Sequence, residues 1–346
     1  MMEIEEMERW IMAGLGLVLL YLAWIAFSLN IDDMISISLM ALLCIGFTFT
    51  YMMEGFPNLA HTSFAIMGAV VTFYLTRFQR FNPYDTWGFS ILIGGLIGVI
   101  IYVGIVRRIR NHGGYQVVTL TFGSLAIATV LNGLSYIFSY WSSRSRTPTS
   151  SYNLSYLDFW MNGRPGIVYV GLGTCLIVTV YLYYFLTRTK TGISLRALAE
   201  DEELAEVMGV SSFRMHCLAW FISGGLAALA GSIVVIHRGM TPDGADALIV
   251  GVMTGAILGG LDNIFGAVIG GVFIGVAQKV LARILYWIFG ISVEKWAGIY
   301  PIVFLVVTLA FFPNGVLNRG TLDIRWLKRI IERVTGWKLI DERREA

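Results

Sequence analysis

The side chains able to do chemistry are few and widely spaced in this chain of 346 residues. Its four histidines, His61, His112, His216 and His237, do not cluster as metal ligands must, so packing or interfacial roles are expected for them. Cys44, Cys175 and Cys217 fall in apolar stretches without C-x-x-C spacing, which points to neither a disulfide framework nor zinc. The sequence has no G-x-x-x-x-G-K-[ST] loop to cradle a nucleotide phosphate, and no H-E-x-x-H or G-x-S-x-G motif. Two polar groups remain. One is the acidic run SLRALAEDEELAEVMG, Ser194 to Gly209. The other is a scatter of uncharged polar residues in oily sequence: Asn58, His61, Thr62, Ser63, Thr119 and Thr121. At membrane depth such groups either line a path for a zwitterion or bond one helix to another.

The elements that must position these residues are membrane spans. Hydrophobic residues make up 56% of the chain and charged residues 14%, where a soluble domain has roughly 25% charged. A spanning helix needs about 20 apolar residues, and only a closed hydrogen-bonding structure survives in hydrocarbon. Ten spans are predicted, near 10–29, 34–53, 59–76, 88–106, 115–141, 166–186, 215–236, 247–260, 264–282 and 296–312. The acidic leader MMEIEEMER is the wrong sign for a secretory signal, so the first span is expected to stay. The interiors of the first eight spans hold no Asp, Glu, Lys or Arg. Ion-driven carriers keep such groups within the membrane, so energy is expected to enter from outside it. The fold class is therefore all-α: a polytopic membrane protein of about ten transmembrane helices.

Basic residues set the orientation, because loops rich in Lys and Arg stay cytoplasmic. With ten spans, sixteen of the 25 basic residues fall on the side that carries both termini. That side also holds a loop at 187–214 and a basic tail at 313–346, and it is read as cytoplasmic. Within the loop, Leu195, Leu198, Leu204, Val207 and Met208 recur near helical spacing. Arg196, Glu200, Asp201, Glu202, Glu203 and Glu206 fill the other faces, and Gly209 stands where a C-terminal cap belongs. The expectation is one amphipathic helix with one apolar stripe. Helices that lie on a bilayer favour Lys and Arg; this one is acidic, which favours docking in the groove of a partner. The segment 142–165 reads as an ordered or semi-ordered loop, with Tyr152, Tyr156 and Trp160 as interface anchors.

Five stretches in order give the chain a resemblance: GFPNLAHTSFAIMGA, GGYQVVTLTFG, GISLRALAEDEELAEVMGVSS with FISGGLAALAG, LGGLDNIFGAVIGGVFIG, and FFPNGVLNRG. Together they resemble the membrane permeases of ATP-binding-cassette importers for branched-chain amino acids, most of all the longer of the two sister permeases. The resemblance implies a transport subunit that performs no covalent chemistry. Its partners would be a second permease, two cassette ATPases that bind the ATP and Mg, and an extracytoplasmic solute-binding protein, with no nucleic acid. It carries an ATPase-coupling role onto Arg196, Glu200, Asp201, Leu204, Ala205, Met208 and Gly209. The middle signature departs from the family at Ser124, where an acidic residue often follows. Two alternatives stay open at this point: a permease for urea, another amide, a sugar or a nucleoside, and a stand-alone channel or secondary carrier.

Overall fold

A computed structural model describes residues 30–113, 117–144, 151–289 and 299–311. The expected first span and the basic tail lie outside the described residues. The described chain is a helical bundle. In order its helices are α1 (Ile31–Glu54), α2 (His61–Arg77), α3 (Trp87–Ile101), α4 (Arg107–Gly113), α5 (Val117–Arg144) and α6 (Gly166–Arg188). They continue with α7 (Lys190–Glu200), α8 (Glu202–Val207), α9 (Ser212–His237), α10 (Asp246–Gly259), α11 (Ile264–Phe289) and α12 (Ile299–Phe311). A π-helical turn, Tyr102–Val106, joins α3 to α4. Among the described residues six helices are long and apolar enough to cross a membrane, and α10 and α12 are shorter apolar helices.

Two helices form the centre. Along α1, Leu42, Cys44 and Phe47 are all fully buried, and α9 is buried from Ala219 to Ile236 apart from Phe221 and Ile222. On the peripheral helices, large apolar side chains such as Ile100, Phe122, Ile137 and Ile177 point outward. In water that surface would be a liability; in lipid it is the required exterior. Since lipid is as apolar as leucine, helices associate there by close packing, and small residues at the crossings allow it. A Cβ at Gly231 of α9 would strike the backbone of Ala65 on α2, and one at Gly224 would strike the backbone of Gly94 on α3. Gly259 of α10 and Gly266 of α11 face each other in the same way.

The segment before α6 is more ordered than its composition announces. Tyr152 is wholly buried, bridges to Met240 through paired backbone hydrogen bonds of 2.8 and 2.9 Å, and donates its hydroxyl to the Ser135 carbonyl at 2.6 Å. It therefore packs as core and not as an interface anchor, whereas Tyr156 and Trp160 are exposed. Trp160–Met161 pairs with Arg164–Pro165 across Asn162 and Gly163, both at positive φ, the conformation that an Asn-Gly hairpin turn requires. At the same end of the bundle, Asp33 at the start of α1 pairs with Lys279 (3.2 Å) and Arg283 of α11.

The expected single helix of the acidic run is two helices. Asp201 breaks it, adopting an extended backbone and capping α8 by accepting from the Leu204 amide at 3.0 Å. Asp competes with helix continuation by this local bond, so it ends one helix and begins the next.

The packing predicts a contrast between two glycines. Gly231→Val should cost about 3 kcal/mol or more, because its added atoms meet backbone and not a movable side chain. Gly173→Ala on α6, where a Cβ meets nothing within 4 Å, should be neutral or stabilise by up to about 1 kcal/mol. Thermal unfolding of the purified variants in detergent checks both, with a lowered midpoint expected only for the first.

Candidate functional site

The site lies at the end of the bundle where α1 finishes and α9 begins. Thr189 ends α6 and caps α7, its hydroxyl oxygen accepting from the Gly192 amide at 3.0 Å. On α7, Leu195 and Leu198 are 1% and 3% exposed, so the apolar half of the acidic run is held against the bundle. On α8 the pattern reverses: Leu204, Val207 and Met208 are 61%, 83% and 78% exposed, while Ala205 is buried. Gly209, at φ +86°, closes α8 with a Schellman pair, its own amide donating to Glu206 and the Val210 amide donating to Ala205. A short helix fixed at both ends thus holds out three apolar side chains.

Of the residues singled out for coupling, Leu204 and Met208 stand on this exposed face, and Glu200 and Asp201 are exposed at the break. Arg196 is half-buried on α7. It lines, with Met52, Leu186, Ile193, Glu200 and Asp262, a groove of about 700 Å³ between α7 and the turn that precedes α11.

Behind α8 lies a network that the sequence did not announce. Glu54, in the last turn of α1, is 2% exposed, and His216 on α9 is fully buried. Glu54 Oε1 accepts from His216 Nδ1 at 2.8 Å and from Trp220 Nε1 at 2.9 Å. His216 Nε2 lies 3.1 Å from the Arg110 guanidinium of α4. Arg110 stands 3.9 Å from the second Glu54 oxygen and pairs with Glu202, the first residue of α8. Ser212 donates its hydroxyl to Glu202, whose Oε1 also lies 3.3 Å from His216 Nε2. Burial alone would raise the Glu202 pKa. The Ser212 hydroxyl, the charge and hydrogen bond of Arg110 and the neighbouring His216 outweigh that effect and hold the carboxyl below its ordinary range.

The π turn helps to build this network. Its wider i→i+5 bonding rotates α4 relative to a straight continuation of α3, and such turns recur at functional sites. Within it, the Tyr102 ring stacks on His216, with centroids 5.4 Å apart and planes 10° apart. By their neighbours in sequence, Glu54 stands beside the turn residue Gly55 and Arg110 ends the basic run that begins at Arg107. The signal that was available is that both abut apolar spans, where an ionisable residue demands a partner.

The uncharged polar residues separate into two places. Asn58, His61, Thr62 and Ser63 are buried where α2 starts. Asn58 Oδ1 accepts from the Ala60 amide at 3.1 Å, and His61 Nδ1 meets Ser223 Oγ of α9 at 3.1 Å. On α5, Thr119 is exposed, and Thr121 donates back to its own helix at the Val117 carbonyl. The two places meet where the Leu59 amide donates to Ser124 Oγ at 3.0 Å. These contacts are helix-to-helix and helix-to-self bonds, one of the two roles the sequence left open for them.

Comparison with known proteins supplies the family. Residues 31–311 match the family model described as the branched-chain amino acid transport system permease component. The chain is 30% identical over 295 residues to the probable branched-chain amino acid transport permease protein LivH of Methanocaldococcus jannaschii, a match covering 85% of this chain and 92% of that one. It is 26% identical to the high-affinity permease BraD of Pseudomonas aeruginosa and 25% identical to LivH of Escherichia coli K12, each covering 82% of this chain and 92% of the relative. The preference for the longer sister permease rests on the Gly113–Gly123 segment alone. With six apolar helices of spanning length among the described residues and a match over most of its length, the chain is an integral membrane protein that belongs to the branched-chain amino acid transport system permease family.

Proposed function

We propose that this chain is the permease of an ATP-driven importer that carries branched-chain amino acids across the cytoplasmic membrane, with α7 and α8 as the element through which a separate ATPase moves it. The observation that carries the proposal is the exposed apolar face of α8, framed by Glu203 and Glu206 on a helix capped at both ends. Apolar anchors on a preorganised helix suit a groove in a partner, because little entropy is lost on docking. The relatives named as branched-chain amino acid permeases support the choice of substrate.

In this reading the α8 end is cytoplasmic, as are both termini, the loop 187–214 and the tail 313–346. The ATP and Mg sit in two cassette ATPases, while a second permease completes the path and an extracytoplasmic binding protein delivers the substrate. Arg196, Glu200, Asp201, Leu204, Ala205, Met208 and Gly209 form the coupling set. Asn58, His61, Thr62, Ser63, Thr119 and Thr121 remain the candidates nearest the path.

The docking face predicts that Leu204→Glu combined with Met208→Glu abolishes co-purification of the ATPase and lowers leucine uptake in proteoliposomes at least roughly tenfold, as loss of interface anchors does. Isoleucine and valine should compete with leucine in the intact complex, and ribose and urea should not. Uptake by the chain alone, without an ATPase, would defeat the reading.

The cap predicts that Asp201→Ala costs α8 about 0.5–2 kcal/mol. Hydrogen exchange should then quicken at the amides of Glu202–Val207 and leave the amides of α9 unchanged.

The lowered Glu202 pKa sets a pH dependence. A carboxyl depressed in the folded state contributes stability in full above its unfolded value, ordinarily 4.5, and loses it as pH falls through the folded value. The exposed Met208 methyl, followed by NMR from pH 7 downward, should therefore hold one position to about pH 4.5 and broaden below it.

A further inference from the structure

Docking a partner on α8 does nothing for transport unless a push on α8 reaches the spanning helices. The contacts of α8 with the bundle are narrow. Its apolar face points away, Ala205 packs inward, and the Glu202 carboxylate reaches Arg110, Ser212 and His216. From Arg110 the covalent chain runs through the π turn into α3. From His216 and Trp220 the hydrogen bonds run to Glu54 at the end of α1, and His216 itself sits on α9. One carboxylate on the docking helix is therefore tied, through one guanidinium and one imidazole, to three separate spanning elements.

We propose that Glu202, Arg110, His216 and Glu54 are the transmission contact of this permease: displacement of α8 by its docked partner is passed through the Glu202–Arg110 pair to α3 and through His216–Glu54 to α9 and α1. This rests on the docking reading above. A network of this kind suits the task because its members are directional, and Glu54 and His216 at its inner end are buried. A shift of Glu202 must either carry Arg110 with it or leave charged groups without partners in a water-poor site. Packed cores respond to such a demand by moving between discrete arrangements rather than by bending. The π turn supplies a place where α3 and α4 can change register, since an extra residue per turn is already accommodated there. Glu202 and Arg110 are positioning residues in this scheme; neither touches substrate.

The test uses the complete complex, with ATPases and binding protein, and reads helix movement directly. Spin labels at Met34 on α1 and Phe89 on α3 sit at the end of the bundle far from α8, and both side chains are exposed. Cys217 is replaced by Ala; Cys44 and Cys175 are buried and left in place. Trapping the ATPase with ATP and vanadate should shift the Met34–Phe89 distance by about 1–2 Å or more in the unaltered network, the size of helix shifts in switching proteins. Glu202→Gln should reduce that shift by more than half while the ATPase still co-purifies, because Leu204, Val207 and Met208 are untouched. Arg110→Gln should do the same. Arg110→Lys, which keeps a positive charge between Glu54 and Glu202, should retain part of the shift that Arg110→Gln loses, which a merely space-filling role does not predict.

Glu202 lies on the exposed rim, so E202Q keeps the test decisive if R110Q fails to fold. A distance that never moves in the unaltered network overturns the inference, and so does a full shift in E202Q. Failure of the unaltered chain to retain any ATPase overturns the docking reading and this inference with it, an outcome separable from the first two by the co-purification alone.

Discussion

The structure turns on one buried carboxylate. Glu54 sits in the last turn of α1, where the helix dipole is negative and an acid is least welcome, and it is taken out of water. The effective cost of burying such a charge is several kcal/mol, and the only remedy is donors held in fixed directions. His216 and Trp220 supply two such donors from one face of α9, and Arg110 supplies the counter-charge from α4. Three elements far apart in sequence are thereby pinned at one end of the bundle. Apolar packing cannot fix a meeting point so sharply, because one apolar contact can be exchanged for another at little cost.

The small-residue crossings do complementary work. Gly224 against Gly94 and Gly231 against Ala65 let α9 lie close on α3 and α2 along its length, which sets distance and crossing but tolerates sliding. The polar cluster at one end, and the Asp33 pairs with Lys279 and Arg283 at the other, fix the register of what the glycines bring together. Ser223 ties the middle: it donates to the Gly46 carbonyl at 2.8 Å and meets His61, so α1, α2 and α9 are also joined at depth. Buried hydrogen bonds are the specific element in a bundle whose other contacts are interchangeable.

Much of this was legible in the sequence. Apolar length located the helices, and the helical spacing of its leucines located the acidic run as helical, because each signal depends on residues near one another in the chain. What was not legible depends on residues far apart. Glu54 reads as a turn residue beside Gly55 until α9 brings His216 and Trp220 to it across more than 160 positions. Arg110 reads as one more basic residue of a loop until the π turn swings it inward. Tyr152 reads as an interfacial aromatic until Met240 pairs with its backbone. The break at Asp201 is a different case. The signal was local, an Asp followed three residues later by Leu204, whose amide it caps, but the helical spacing of the leucines on either side outvoted it.

That break changes what the acidic run is for. A single amphipathic helix would have to spend its one apolar stripe either on the bundle or on a partner. Divided at Asp201, the run has two apolar faces: α7 packs Leu195 and Leu198 on the bundle, and α8 turns Leu204, Val207 and Met208 outward. The charges follow the same division. Glu203 and Glu206 are exposed beside the apolar face, while Glu202, one position away, points back to Arg110. Under the docking proposal, a helix so placed is pushed at its apolar face and held at its acidic root. Because the root is a charge pair and not a greasy contact, a push cannot slip past it; the pair moves as a unit or separates at a cost the bundle must answer.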